Sequence, residues 1–107
     1  MTRGAVVTVA LQGDHGKPRP AVIVQADQFG ASTHVAILLL TSFVTDTPLI
    51  RIPIPATPGT GLSAPSFAML DRITTAPRAK IGPMIGHVDD ATMVELNRGL
   101  AVYLGLA

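Results

Sequence analysis

The chain of 107 residues has no cysteine, so neither disulfides nor thiolate metal sites hold it together. With 48% hydrophobic and only 14% charged residues it is excluded from the disordered class, and it is long enough for a single domain, residues 1–107, with its own core. Net charge is +1 but uneven: seven bases against four acids over residues 1–88 give +3, and Arg98 against Asp89, Asp90 and Glu95 gives −2 over residues 89–107.

Residues 6–11 alternate, with Val7, Val9 and Leu11 on one face of a strand. Residues 12–18 contain Gly13, Asp14, Gly16 and Pro18, which is turn chemistry. Residues 21–25 open with a continuous apolar run, the pattern of a strand buried on both faces. Arg19 stands at its mouth between Pro18 and Pro20. Proline fixes its own φ and pushes the residue before it toward extended backbone, so Arg19 is predicted to be stiff and extended. A long cation held this way is a poor choice for packing and a good one for gripping a phosphate.

Residues 26–33 read as a loop and residues 34–41 as a second core strand rich in branched side chains. After a connection, Ile50, Ile52 and Ile54 alternate with Arg51 and Pro53, and the prolines mark an edge strand. Residues 56–65, with Pro58, Gly59, Gly61 and Pro65, are expected to form an exposed, mobile loop. Residues 66–70 form a short strand running into Asp71, and residues 81–88 another, weakened by Gly82, Pro83 and Gly86. Asp89 is placed as the N-cap of a helix, with Asp90 in the first turn. Met93, Leu96, Leu100 and Leu104 make its apolar face, and Gly105 ends it. Many short strands and one closing helix imply a small, strongly curved sheet or barrel. No apolar run is long enough to cross a bilayer and no N-terminal stretch reads as a signal peptide, so a cytoplasmic chain without a membrane partner is expected.

An ordered set of short signals runs through the chain. Arg3-Gly4 precedes the first strand, Arg19-Pro20 the second, and Thr41-Ser42 ends the third. Asp71 stands before Ile73, and Ile85-Gly86 leads into the capped helix ending in Leu104-Gly105-Leu106. In this order and spacing the chain resembles the MazF/PemK family of toxins from bacterial toxin–antitoxin pairs. The resemblance implies a small SH3-like β-barrel with a C-terminal helix, acting as a homodimer. It also implies an endoribonuclease that cuts single-stranded RNA at short sequences without metal or other cofactor, inhibited by a cognate antitoxin protein in the RNA groove.

Such cleavage uses the substrate's own 2′-hydroxyl as nucleophile, so the protein must move protons and stabilise charge on the phosphoryl oxygens. Arg19 matches the family's catalytic arginine, and its planar fork suits two phosphate oxygens. The alternative is a surface cation capping a turn. Thr41 matches the family's catalytic or positioning threonine, although strands often end in Thr or Ser for structural reasons. Asp71 is a candidate base or a holder of Arg19, against a turn aspartate or a partner for Arg72. His15, in the loop before Arg19, is a candidate for proton transfer near neutral pH. His34 and His87 read as structural. Lys17, Arg19, Ser42, Arg72, Arg78 and Lys80 are the candidate RNA-binding residues, and no His, Cys or carboxylate spacing points to a metal. Ala5, Met69 and Thr74 stand where relatives often carry charged residues, which implies a differently shaped RNA groove.

Two other classes fit parts of this pattern. A toxin of the same fold can poison DNA gyrase, as CcdB does, but Gly105-Leu106-Ala107 lacks the tryptophan expected at that contact. A non-catalytic SH3-like interaction module would leave Arg19 and Thr41 incidental.

Overall fold

The apolar runs of the sequence become the middle of one antiparallel sheet. The computed structural model describes residues 2–11, 17–44 and 50–107. Its strands are β1 (Ala5–Val9), β2 (Arg19–Ile23), β3 (His34–Thr41), β4 (Arg51–Ile54), β5 (Ser66–Pro77) and β6 (Ile81–His87), followed by helix α1 (Asp90–Tyr103). The strand order is β4-β5-β3-β2-β1-β6. The central strands are buried on both faces, which is why β2 and β3 carry continuous apolar runs instead of alternation.

On one face Val6, Val22, Leu38 and Leu70 share a core with Leu96 and Leu100 of α1. On the other, Val7, Ala21, Ile37 and Leu39 form a second core that α1 does not reach. The sheet rolls over that second face, giving nearly equal extents of 31 × 29 × 27 Å, where a flat sheet would be thin.

The roll is an open one. Among the described residues β4 and β6 do not pair with each other, so the expected barrel is a rolled sheet without a closed ladder. Two backbone bridges complete it. A 3₁₀ turn at Arg78–Lys80 joins two corners: the Arg78 N–H donates to Thr33 O (2.9 Å) and the Ala10 N–H to Lys80 O (3.2 Å). Across the other gap, residues 57–61 leave β4 and dock on β6, where the His87 N–H donates to Gly59 O at 2.9 Å. Gly61 has φ +70°, and a Cβ there would stand 2.0 Å from the Ile85 carbonyl oxygen. The loop expected to be mobile is therefore anchored. Thr60 is only 4% exposed, and its hydroxyl donates to Pro55 O (2.8 Å) while accepting from the Thr57 N–H (3.1 Å).

β5 runs through 12 residues, well past the short strand expected. The polar pair Asp71-Arg72 falls where the β3–β5 register shifts, between Leu38 opposite Ile73 and Leu40 opposite Ala68. The extra residues of this irregularity carry the polar side chains, so the pair does not end the strand. Pro53 lies on β4 and Pro83 on β6, the two outer strands, and the β1–β6 pairing is broken by two register shifts.

Asp89 caps α1 as expected, its Oδ1 accepting from the Thr92 N–H at 2.8 Å. Hydrogen bonding from the Thr92 side chain, and next from its backbone N–H, holds the Asp89 carboxyl below the usual 3.8. At the other end Gly105 takes φ +75°, with Leu106 N–H to Ala101 O (2.7 Å) and Gly105 N–H to Val102 O (3.1 Å), a Schellman ending. Leu104, counted in the apolar face, is the C-cap and lies exposed; the face is made by Leu96, Leu100 and half-buried Met93. His87 bridges the carbonyls of Arg3 and Val88 through its two ring nitrogens (3.0 and 2.6 Å), a structural place. Among the described residues no helix is long and apolar enough to cross a membrane.

Candidate active site

Register brings Arg19 and Thr41 together. β2 and β3 pair as Ala21 with Leu39, Val22 with Leu38 and Ile23 with Ile37. Extended by two residues past the paired stretch, that register would set Arg19 across from Thr41, a strand spacing of about 4.8 Å, and both residues line one cleft. The same row extends from Val9 opposite Arg19 to Phe67 opposite Thr41 and Pro53 opposite Phe67. Arg19 begins β2 on its exposed end, in the extended backbone that the flanking prolines predicted.

Arg19, Thr41 and Ser42 line a cleft of about 320 Å³. Its opposite wall comes from Leu62, Ser63 and Ser66, the stretch that follows the docked residues 57–61. Alternation along a strand would separate Thr41 from Ser42, but β3 ends at Thr41 and both line the cleft. The Phe43 N–H donates to Thr41 Oγ1 at 3.1 Å, which orients the hydroxyl as acceptor there and leaves its own proton for donation into the cleft. A guanidinium beside several hydroxyls on a stiff backbone is a cradle for a phosphate.

The remaining candidates lie elsewhere. Asp71 does not line the cleft; its Oδ1 forms an ion pair with Arg51 Nη1 across β4 and β5, so it is partnered neither with Arg72 nor placed as a turn residue. Arg51 was not singled out from the sequence, because a pair 20 residues apart is set by strand register alone. Arg78 Nε donates to Ser32 O at 2.9 Å near the His34 end of β3, away from the Thr41 end, and Arg72 is exposed outside the cleft. Lys17 is exposed just ahead of β2. Lys80 is exposed just ahead of β6, and Val9 of β1 pairs with Arg19 on one side and with Ile81 on the other, so Arg19 and Lys80 flank β1. His15 lies outside the described residues.

The fold is a rolled antiparallel sheet with a C-terminal helix, and its cleft is lined by one arginine and several hydroxyls. The chain belongs to the PemK-like, MazF-like toxins of type II toxin–antitoxin systems, whose family pattern matches residues 2–104. It is 44% identical over 108 residues to the probable endoribonuclease MazF of Mycolicibacterium smegmatis, covering 100% of this chain and 99% of that one. In structure it is similar to an endoribonuclease in complex with its cognate antitoxin from a mycobacterial species, with a TM-score of 0.81 and 26% identity over 100% of this chain and 97% of that one. A MazE–MazF structure from Deinococcus radiodurans, at 18% identity and a TM-score of 0.78 over 100% and 98% of the two chains, shares the fold.

Proposed function

We propose that the chain is the toxin of its pair and a metal-independent endoribonuclease that cleaves single-stranded RNA in the cytoplasm. The observation that carries this reading is that Arg19 and Thr41 line one cleft. The substrate 2′-oxygen attacks the adjacent phosphorus, the P–O5′ bond breaks, and a 2′,3′-cyclic phosphate and a 5′-hydroxyl result. Arg19 stabilises the charge gathering on the phosphoryl oxygens and Thr41 donates to one of them. The Asp71 carboxylate, held by Arg51, does not suit the role of base at this cleft, so proton transfer is assigned to His15 on the sequence argument. Lys17 and Lys80 extend the positive surface on either side of Arg19. The chain acts as one domain in a twofold homodimer, and a cognate antitoxin competes with RNA for the same cations; the mycobacterial endoribonuclease in complex with its cognate antitoxin supports this partner.

The test is to incubate purified protein with single-stranded RNA in EDTA. Cleavage is expected, and Arg19→Ala should lose ~10²–10³-fold in rate while folding normally. Arg19→Lys should recover only part, because a point charge replaces the fork. Undiminished cleavage by folded Arg19→Ala would refute the assignment. His15→Ala should lower the cleavage rate of the folded protein. Sedimentation at micromolar concentration should show the dimer.

A further inference from the structure

We infer that the groove along the outer edge of β4 is a base-reading subsite, which takes one nucleobase flanking the scissile phosphate. This rests on the reading of the Arg19 cleft as an RNA-cleaving site. The groove has a volume of about 560 Å³ and lies between β4 and the first turns of α1, lined by Arg51, Pro53, Phe67, Val44, Thr92 and Glu95 among others.

Three observations select its occupant. The first is continuity. Phe67 is the direct cross-strand neighbour of Thr41, and such pairs present their side chains to one face about 5 Å apart. The chain leaving β3 also joins the two spaces, since Ser42 lines the cleft and Val44 the groove. A strand of RNA gripped at Arg19 and Thr41 therefore has its neighbouring nucleotide at this groove.

The second is a cation on the lining. Arg51 Nη1 is engaged by Asp71 and by the Ile50 carbonyl oxygen, and its Nε is enclosed, but the side chain lines the groove and stays 16% exposed, so its guanidinium edge is open to an acceptor there.

The third is charge. Asp89 and Glu95 stand on the helix wall. Carboxylates repel a phosphate but accept from base N–H groups, as Glu and Asp do at cytosine N4. The occupant is thus the uncharged part of the nucleotide: its face on the Phe67 ring, its acceptors toward Arg51 and its donors toward Glu95. Stacking on an aromatic ring and hydrogen bonding of a splayed base is the usual way single-stranded RNA is read.

The experiment maps cleavage ends on a randomised RNA pool for wild type, Phe67→Ala, Phe67→Leu and Glu95→Gln, alongside antitoxin affinity. Phe67→Leu keeps apolar bulk in β5 without the π face, so it reports even where Phe67→Ala fails to fold. The subsite predicts that discrimination at one position next to the cut falls about 5- to 150-fold in Phe67→Leu, the range of one lost base stack. Glu95→Gln should change which base is preferred at that same position. Cleavage with unchanged preference in Phe67→Leu and Glu95→Gln overturns the subsite and leaves the RNase reading intact. If those variants instead lose antitoxin affinity with preference unchanged, the groove belongs to the protein partner and the subsite is likewise overturned. Absence of cleavage by the wild-type chain overturns the reading and the subsite with it.

Discussion

Replacing Gly61 by alanine tests whether the docked loop closes the roll. The backbone there has φ +70°, and the new Cβ would stand 2.0 Å from the Ile85 carbonyl oxygen and 2.7 Å from its carbon. Both are main-chain atoms of β6, so no side chain can swing aside. Left-handed backbone alone costs a non-glycine residue about 1–2 kcal/mol. Displacing the loop adds a lost backbone bond, His87 N–H to Gly59 O, of about 1 kcal/mol, and overpacking strain of about 1–3 kcal/mol. The expected destabilisation is about 3–6 kcal/mol. Gly105 supplies the control: its φ is +75°, yet nothing lies within 4 Å of its added Cβ, so Gly105→Ala should cost only the backbone share of about 1–2 kcal/mol. Urea unfolding followed by circular dichroism, at one fixed protein concentration, measures both. Equal losses in the two variants would refute the claim that residues 57–61 bridge the sheet edges. Because Leu62, Ser63 and Ser66 form the far wall of the cleft, Gly61→Ala should also raise the KM for RNA.

Thr41→Val keeps the shape of the residue but removes its donor; a hydrogen bond to a charged phosphate oxygen is worth about 1.5–3 kcal/mol, so kcat should fall about 10- to 150-fold in single-turnover cleavage. Asp89→Asn should keep the cap and lose its titration. Since the Asp89 carboxyl is held below 3.8, its contribution is present above that value and vanishes as pH falls through the lowered one; the melting temperature of wild type should therefore drop further between pH 6 and pH 3 than that of the variant.

The sequence reveals most where one segment decides its own structure. β3 is found at residues 34–41 because eight consecutive residues carry its signal, and α1 because Asp89 and Gly105 act on adjacent backbone. Arg19 and its prolines are equally local. What could not be read depends on neighbours distant in the chain. The loop at 56–65 has a mobile composition, but Thr60 and Gly61 are fixed by β6, which comes some 20 residues later. Asp71-Arg72 looks like the end of a strand until the register against β3 shows an irregularity instead. Arg51 reads as the polar position of an edge strand, and its tie to Asp71 comes from the pairing of β4 with β5. Leu104 continues the helical spacing of leucines, but the turn at Gly105 carries it past the last residue that the sheet covers.

The prolines on the outer strands bear on how copies of the chain can meet. Pro53 on β4 and Pro83 on β6 each delete a donor from an outermost row, and the second row is further kinked by its register shifts. A neighbour trying to lengthen the sheet sideways would find an interrupted ladder at either margin. Strand-by-strand growth into fibres is thereby disfavoured at both margins.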